Sequence, residues 1–161
     1  LSSLVSRLRE TVGESQRRAV LTTSFSKEDQ LILWAIVESG LDVGVVSLDT
    51  GCLFPGTLEV WRQTEAHFGI HIERLAPSPE KVRNFEAEGG MSAIYQDRSV
   101  RRACCGFRKL EPLRAALNGK SWWITGLRHA QSENRSGMTM VEEAPDWNLT
   151  KVHPLIDWPD A

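Results

Sequence analysis

Ala19-Val20-Leu21-Thr22-Thr23-Ser24-Phe25-Ser26-Lys27-Glu28-Asp29-Gln30, running on through Leu31 to Gly40, is the stretch that decides how this chain folds. Ala19 to Thr23 is a short apolar run of strand length. Ser26 follows with the hydroxyl of an N-cap, and Asp29 stands three residues on, a near relative of the capping box. Leu31 to Val37 then fills a mostly buried helix, which Gly40 can stop because glycine enters the left-handed region without strain. The unit is strand, loop, helix.

The same unit recurs downstream. Val43 to Leu48 reads as a strand, Asp49 to Gly56 as a loop, and Thr57 to Phe68 as a helix with Leu58, Trp61 and Phe68 on one side. Ile70 to Leu75 alternates as a third strand, Pro79 to Glu88 as another helix, and Trp122 to Thr125 as a further strand. Upstream, Leu4, Leu8 and Val12 recur at helical spacing, in a helix that ends near Gly13 to Ser15. Alternation of this kind predicts an α/β fold: a parallel twisted sheet with helices on both faces. Ligands in such sheets bind beyond the carboxyl ends of the strands. The loops Ser24 to Asp29, Asp49 to Gly56 and Gly126 to Arg135 all open at that edge.

With 161 residues and 41% hydrophobic content the chain suffices for one domain with a substantial core, expected over residues 1–161. A net charge of -2 argues against a general nucleic-acid or membrane binder. No apolar run approaches the roughly 20 residues that span a bilayer, and Leu1 to Glu10 resembles neither a signal nor a transit peptide. The expectation is a soluble, cytoplasmic protein without internal repeats. A homo-oligomer is compatible with the sequence.

Chemistry is concentrated in Arg101-Arg102-Ala103-Cys104-Cys105-Gly106-Phe107-Arg108-Lys109, which holds two of the three cysteines. Cations beside a thiol favour its thiolate, the form that binds metals and attacks electrophiles. The pair has three readings: a strained vicinal disulfide, two small apolar core residues, or soft ligands to a metal or iron-sulfur cluster, of which two cysteines supply half a site. Together with Arg98, Arg128, Arg135 and Lys151, the cations of this run also suit a small polyanionic ligand. Ser24-Phe25-Ser26-Lys27 leads into a helix N-terminus, where backbone N–H groups either bind an anion or are simply capped. It is neither a Walker A loop nor a dinucleotide fingerprint. Asp49-Thr50-Gly51-Cys52 is turn-forming, and Cys52, without a neighbouring cation, reads as a packed small residue. His67, His71, His129 and His153 show no zinc-site spacing.

Four blocks, in order, resemble the assimilatory sulfonucleotide reductases: Thr23 to Gln30; Leu48-Asp49-Thr50-Gly51 with Leu53-Phe54-Pro55; Cys104 to Lys109 with Glu111-Pro112-Leu113; and Trp123 to Arg128 continuing to Gln131, Ser132 and Arg135. The adjacent cysteines resemble the branch that reduces adenylyl sulfate with a [4Fe-4S] cluster, rather than the cluster-free branch acting on its 3′-phosphorylated relative.

The resemblance implies an adenine nucleotide alpha-hydrolase-like sheet. It implies a modified phosphate loop at Ser24, Phe25, Ser26 and Asp29, adenosine held by Leu48, Asp49, Thr50 and Gly51, a further substrate-binding loop at Gly126 whose Arg128 and Arg135 close over the phosphosulfate, and Lys109 on the anion between substrate and cluster. Cys104 and Cys105 become cluster ligands. The implied activity is thioredoxin-dependent reduction of adenylyl sulfate to sulfite and AMP, in sulfate assimilation toward cysteine, through a cysteine S-sulfo intermediate. The family's second cysteine pair and its nucleophilic tail cysteine are expected beyond Ala161, so no catalytic residue is named within the chain and the cluster is expected absent or damaged in it. Alternatives are a phosphoadenylyl-sulfate reductase, an ATP pyrophosphatase-like transferase, whose paired glycines Ser24-Phe25-Ser26 lacks, and a non-catalytic adenine-nucleotide-binding module.

Overall fold

The computed structural model describes residues 1–135 and 137–159. Six strands, β1 (Ala19–Thr22), β2 (Gly44–Leu48), β3 (Glu73–Leu75), β4 (Trp122–Ile124), β5 (Val141–Ala144) and β6 (Leu149–Val152), form one sheet in the order β3-β2-β1-β4-β6-β5. All neighbouring pairs are parallel except β5 with β6. The sheet is therefore mixed, with one antiparallel edge. That edge carries Glu142 and Glu143, charges suited to a strand with one open side.

Helices α1 (Ser2–Val12), α2 (Lys27–Ser39) and α3 (Pro55–Phe68) flank one face. Leu4, Leu8, Val12, Ile32, Leu33, Ile36 and Trp61 pack there against Ala19, Leu21, Val45, Ile124 and Val152. On the opposite face Val20, Val46, Leu75 and Leu149 meet Leu113 and Leu117 of α7 (Glu111–Leu117). Alternate residues of β1 thus enter different cores, which is why Ala19 to Leu21 is apolar without interruption.

The α2 cap forms as its sequence requires. Ser26 Oγ accepts from Asp29 N, Asp29 reaches back to Ser26 N, and Gly40 ends the helix in the left-handed region. Two boundaries differ from expectation. α3 begins at Pro55, whose missing N–H costs nothing in a first turn, and it buries Trp61 and Thr64 while Leu58 stays exposed. The third strand shortens to Glu73–Leu75, although Ile72 remains in the core.

Between α4 (Pro79–Ala87) with the short α5 (Gly90–Ala93) and β4, the chain runs through α6 (Arg98–Cys105), a π-helical turn (Gly106–Leu110) and α7 without leaving helical geometry. Pro112 lacks the N–H that would bond to the Arg108 carbonyl, and the Glu111 N–H bonds instead to Gly106 O. A wide turn relieves the clash a proline ring makes with the preceding turn of an α-helix. Its extra residue buries Arg108 and leaves Lys109 exposed on the cavity wall described below.

Candidate active site

The carboxyl ends of β1, β2 and β4 open onto a cavity of about 790 Å³. Its floor is built by the three predicted loops: Ser24, Phe25, Ser26 and Asp29 from the first, Leu48 and Thr50 from the second, and Gly126 from the third. The helix that runs from α6 into α7 supplies another wall, with Arg101, Cys104, Cys105, Arg108 and Lys109. Cys104 is buried and Cys105 exposed. Cys52, expected to be packed away, is exposed and also lines the cavity, because it follows the tight turn at Gly51.

In the first loop, Asp29 is the organising group. Its Oδ2 accepts from Ser24 N at 2.7 Å, Ser24 Oγ at 3.0 Å and Ser26 N at 3.3 Å, while Phe25 N donates to Thr23 Oγ1 at 2.9 Å. This carboxylate takes the place at the helix N-terminus that an external anion would take, so Ser24 and Ser26 keep no backbone N–H open there. Phe25 sits at a φ of 66°, which turns the chain sharply between the two serines, and its ring packs 5.2 Å from that of Trp61. Gly126 is obligatory against this loop. A Cβ on it would lie 2.6 Å from Asp29 Oδ1 and 3.1 Å from Glu28 Cβ.

In the second loop, Asp49 Oδ1 accepts from Gly51 N at 2.9 Å, an Asx turn, and its other oxygen pairs with Arg74. Gly51 adopts a φ of 74°. Asp49 and Gly51 shape this loop from behind and do not line the cavity.

The structure also keeps Arg128 and Arg135 off the wall. Arg128 is buried; its Nε and Nη2 donate to Glu28 Oε1 at 3.0 and 2.7 Å, and its Nη1 to the carbonyls of Trp158 and Pro159 at 3.3 and 3.0 Å. Burial pushes the Glu28 carboxyl up, but hydrogen bonds from its own N–H, Arg128 and Gln131 outweigh this and hold it below the usual carboxylate value. Arg135 donates to Gln131, which does line the cavity.

Of the cavity residues that the sequence did not single out as a site, three bear on the chemistry. Arg101 stands with Lys109 on the cysteine wall, and no ion pair engages either among the described residues. Arg108 belonged to the basic run, but only its burial marks it out from its neighbours. Thr125 shares a 2.7 Å hydrogen bond with Nδ1 of the fully buried His153, whose Nε2 lies 3.5 Å from Glu142. The strand containing His153's approach, Leu149 to Val152, gave no clear signal in the sequence.

The sheet order and its flanking helices are those of the adenine nucleotide alpha-hydrolase-like fold. The chain is similar in structure to phosphoadenylyl-sulfate reductase from Candida auris, with TM-score 0.78, 23% identity, and coverage of 97% of this chain and 73% of that one. It is more distantly similar to Candida glabrata FMN adenylyltransferase, with TM-score 0.61, 14% identity, and coverage of 98% and 51%. Residues 18–161 match the phosphoadenosine phosphosulfate reductase domain, and the chain belongs to that family. Among its relatives, adenosine 5'-phosphosulfate reductase from Rhizobium meliloti is 45% identical over 88% of this chain and 53% of its own length. The enzyme of the same name from Allochromatium vinosum is 40% identical over 86% of this chain and 54% of its own. The chain thus spans about half the length of these curated relatives. No helix among the described residues is long and apolar enough to cross a membrane.

Proposed function

We propose that this chain is the nucleotide-binding part of a reductase that converts adenylyl sulfate to sulfite and AMP, with thioredoxin or a similar dithiol as reductant. The observation that carries the reading is the Cys104-Cys105 pair on the wall of the cavity that the two nucleotide loops line, beside Arg101 and Lys109. Adenosine lies against Leu48 and Thr50, in the loop that Asp49 and Gly51 shape, and against the Ser24 to Asp29 loop. The phosphosulfate points to Lys109 and Arg101, and packs near Gly126, where no side chain intrudes. Arg128 supports this end indirectly, by fixing Glu28 at the start of α2, and Arg135 reaches the anion if it releases Gln131. A guanidinium fork and an ammonium on one wall suit the oxygens of phosphate and sulfate.

The residues present fit half of an iron-sulfur site. Cys104 and Cys105 are consecutive, both reach the cavity, and two cations stand near them to offset the charge of a thiolate-ligated cluster. Among the described residues no three His, Cys, Asp or Glu side chains converge as a metal site. A [4Fe-4S] cluster would therefore take its other two thiolates from the length that the relatives have and this chain does not span. When bound, it would supply a polarisable anionic centre against which Lys109 holds its charge.

In the reaction a cysteine thiolate attacks the sulfur of adenylyl sulfate. The sulfur–oxygen bond to the phosphate breaks, its electron pair leaves with AMP, and S-sulfocysteine remains. One thiol of the dithiol attacks the cysteine sulfur and expels sulfite, and the second resolves the mixed disulfide, so that two electrons pass from the dithiol. In-line attack needs a thiolate at the anion end of the cavity. Cys52 lies in the adenosine loop and Cys104 and Cys105 are allotted to the cluster, so the nucleophile is placed outside residues 1–161.

The test is a single turnover of this chain with sulfur-labelled adenylyl sulfate. Nucleotide is expected to bind without sulfite release or a sulfonate on any of the three cysteines. A stoichiometric, thioredoxin-releasable adduct on Cys52 would make this a cluster-independent enzyme, and failure to bind either AMP or adenylyl sulfate would remove the nucleotide reading.

A further inference from the structure

One side chain crosses from the cysteine-bearing helix to the second loop. Arg108 Nη1 donates to the Thr50 carbonyl at 2.7 Å, and Nη2 donates to Glu86 at 3.1 Å. The guanidinium carbon lies 5.5 Å from the centre of the Phe85 ring and 5.2 Å from that of Phe107. The residue is 5% exposed, and its Nε has no acceptor among the described residues. Gly51, next to the accepting carbonyl, is fitted to this contact: at its φ of 74°, a Cβ would come within 3.3 Å of Nη1. Thr50 and Arg108 both line the cavity, and Arg108 directly precedes Lys109 in the π turn that follows Cys105.

A buried guanidinium is costly to leave without acceptors. With Nε already lacking one, withdrawal of the Thr50 carbonyl would leave Glu86, whose side chain is half exposed, as the cation's single hydrogen-bond acceptor. The loop and the π turn are thereby held to one relative placement. The tie is made by a buried cation to a backbone carbonyl, and the glycine beside that carbonyl leaves the guanidinium its room.

We propose that Arg108 is a positioning residue that couples the nucleotide loop to the helix carrying Cys104, Cys105 and Lys109. Occupying the cavity beside Thr50 tightens the π turn and the cysteine pair, and ordering that helix raises nucleotide affinity by the same factor, since coupling between sites is reciprocal. This rests on the nucleotide reading of the cavity given above.

The experiment uses this chain with Arg108→Met and Arg108→Lys, AMP as the probe, calorimetric titration, and amide hydrogen exchange over residues 49–52 and 104–110 with and without AMP. In the wild type, AMP is expected to slow exchange in both segments. Arg108→Met should weaken AMP by about tenfold, the loss of one charge-assisted hydrogen bond, and confine the AMP-dependent slowing to residues 49–52. Arg108→Lys, which can reach Thr50 or Glu86 but not both, should recover part of each effect, and it serves alone if the methionine variant fails to fold. A packing role would change exchange in the free protein yet leave the difference made by AMP intact. AMP-dependent protection of residues 104–110 in both variants, at wild-type affinity, would overturn the coupling. Absence of AMP and adenylyl sulfate binding in the wild type overturns the nucleotide reading itself, and the coupling with it.

Discussion

Glu28 and Arg128 form a nearly buried ion pair between residues a hundred positions apart. Removing one partner of such a pair strands the other charge in the interior, at a typical cost of about 3–5 kcal/mol. Arg128→Ala is therefore expected to lower the urea midpoint sharply, and Glu28→Gln in the same background to restore much of the loss. If Arg128 acted only on the substrate anion, Arg128→Ala would leave the midpoint unchanged. His153 gives a second prediction. Burial pushes its imidazole below the ordinary histidine value; Glu142 opposes this, and Lys151 and Arg135 reinforce it. Between the folded and unfolded values the unfolded chain binds more protons, so stability from a neutral His153 is complete above about pH 6.5 and falls as pH drops below it. Melting temperatures should fall below that pH in the wild type, and His153→Asn should flatten the fall just below about pH 6.5. An unchanged slope would assign the effect to other groups. Glu28, held below the usual carboxylate value, contributes its own loss only at more acid pH.

At the scale of elements, the first strand-loop-helix unit was legible because its signals agree: an apolar strand, a serine cap with Asp29, and Gly40 at the end. β5 was not, because Val141-Glu142-Glu143-Ala144 carries two charges on an edge, where burial imposes little pattern, and β6 was not, because its short run Leu149-Thr150-Lys151-Val152 buries only its two ends and does not alternate. Leu58 misled for the opposite reason, since an apolar residue on a helix says nothing of what will cover it. The loops of the candidate site were legible as loops. The commitment of Arg128 to Glu28 was not, because a residue's long-range partner leaves no trace in its local spacing. Helix α6 and its π turn yield a prediction of their own. In a longer form of the protein that carries the length of its relatives, Cys104→Ser with Cys105→Ser should abolish iron and acid-labile sulfide after anaerobic purification. Undiminished iron would place the cluster elsewhere.

For the whole molecule, binding to the folded state alone raises stability by mass action. AMP at about a hundred times its dissociation constant should add about 2.7 kcal/mol and raise the melting temperature accordingly. A melting temperature indifferent to AMP would argue against a preformed site. The cavity lies where β1, β2 and β4 end together, so anything bound there contacts loops from three parts of the chain at once.

The position of β1 between β2 and β4 also bears on how the protein is made. β2 follows β1 within a short stretch, but Ala19 is paired with Trp122, about a hundred residues later. At a synthesis rate of roughly 5–20 residues per second, one edge of β1 waits on the order of 5–20 s on the ribosome for its second neighbour. That edge belongs to a strand buried on both faces, and it is neither charged nor bulged. Late pairing of this kind makes folding slow and leaves the nascent chain open to association with its own copies, so yield should depend more on translation speed and chaperone supply than on the stability of the finished protein.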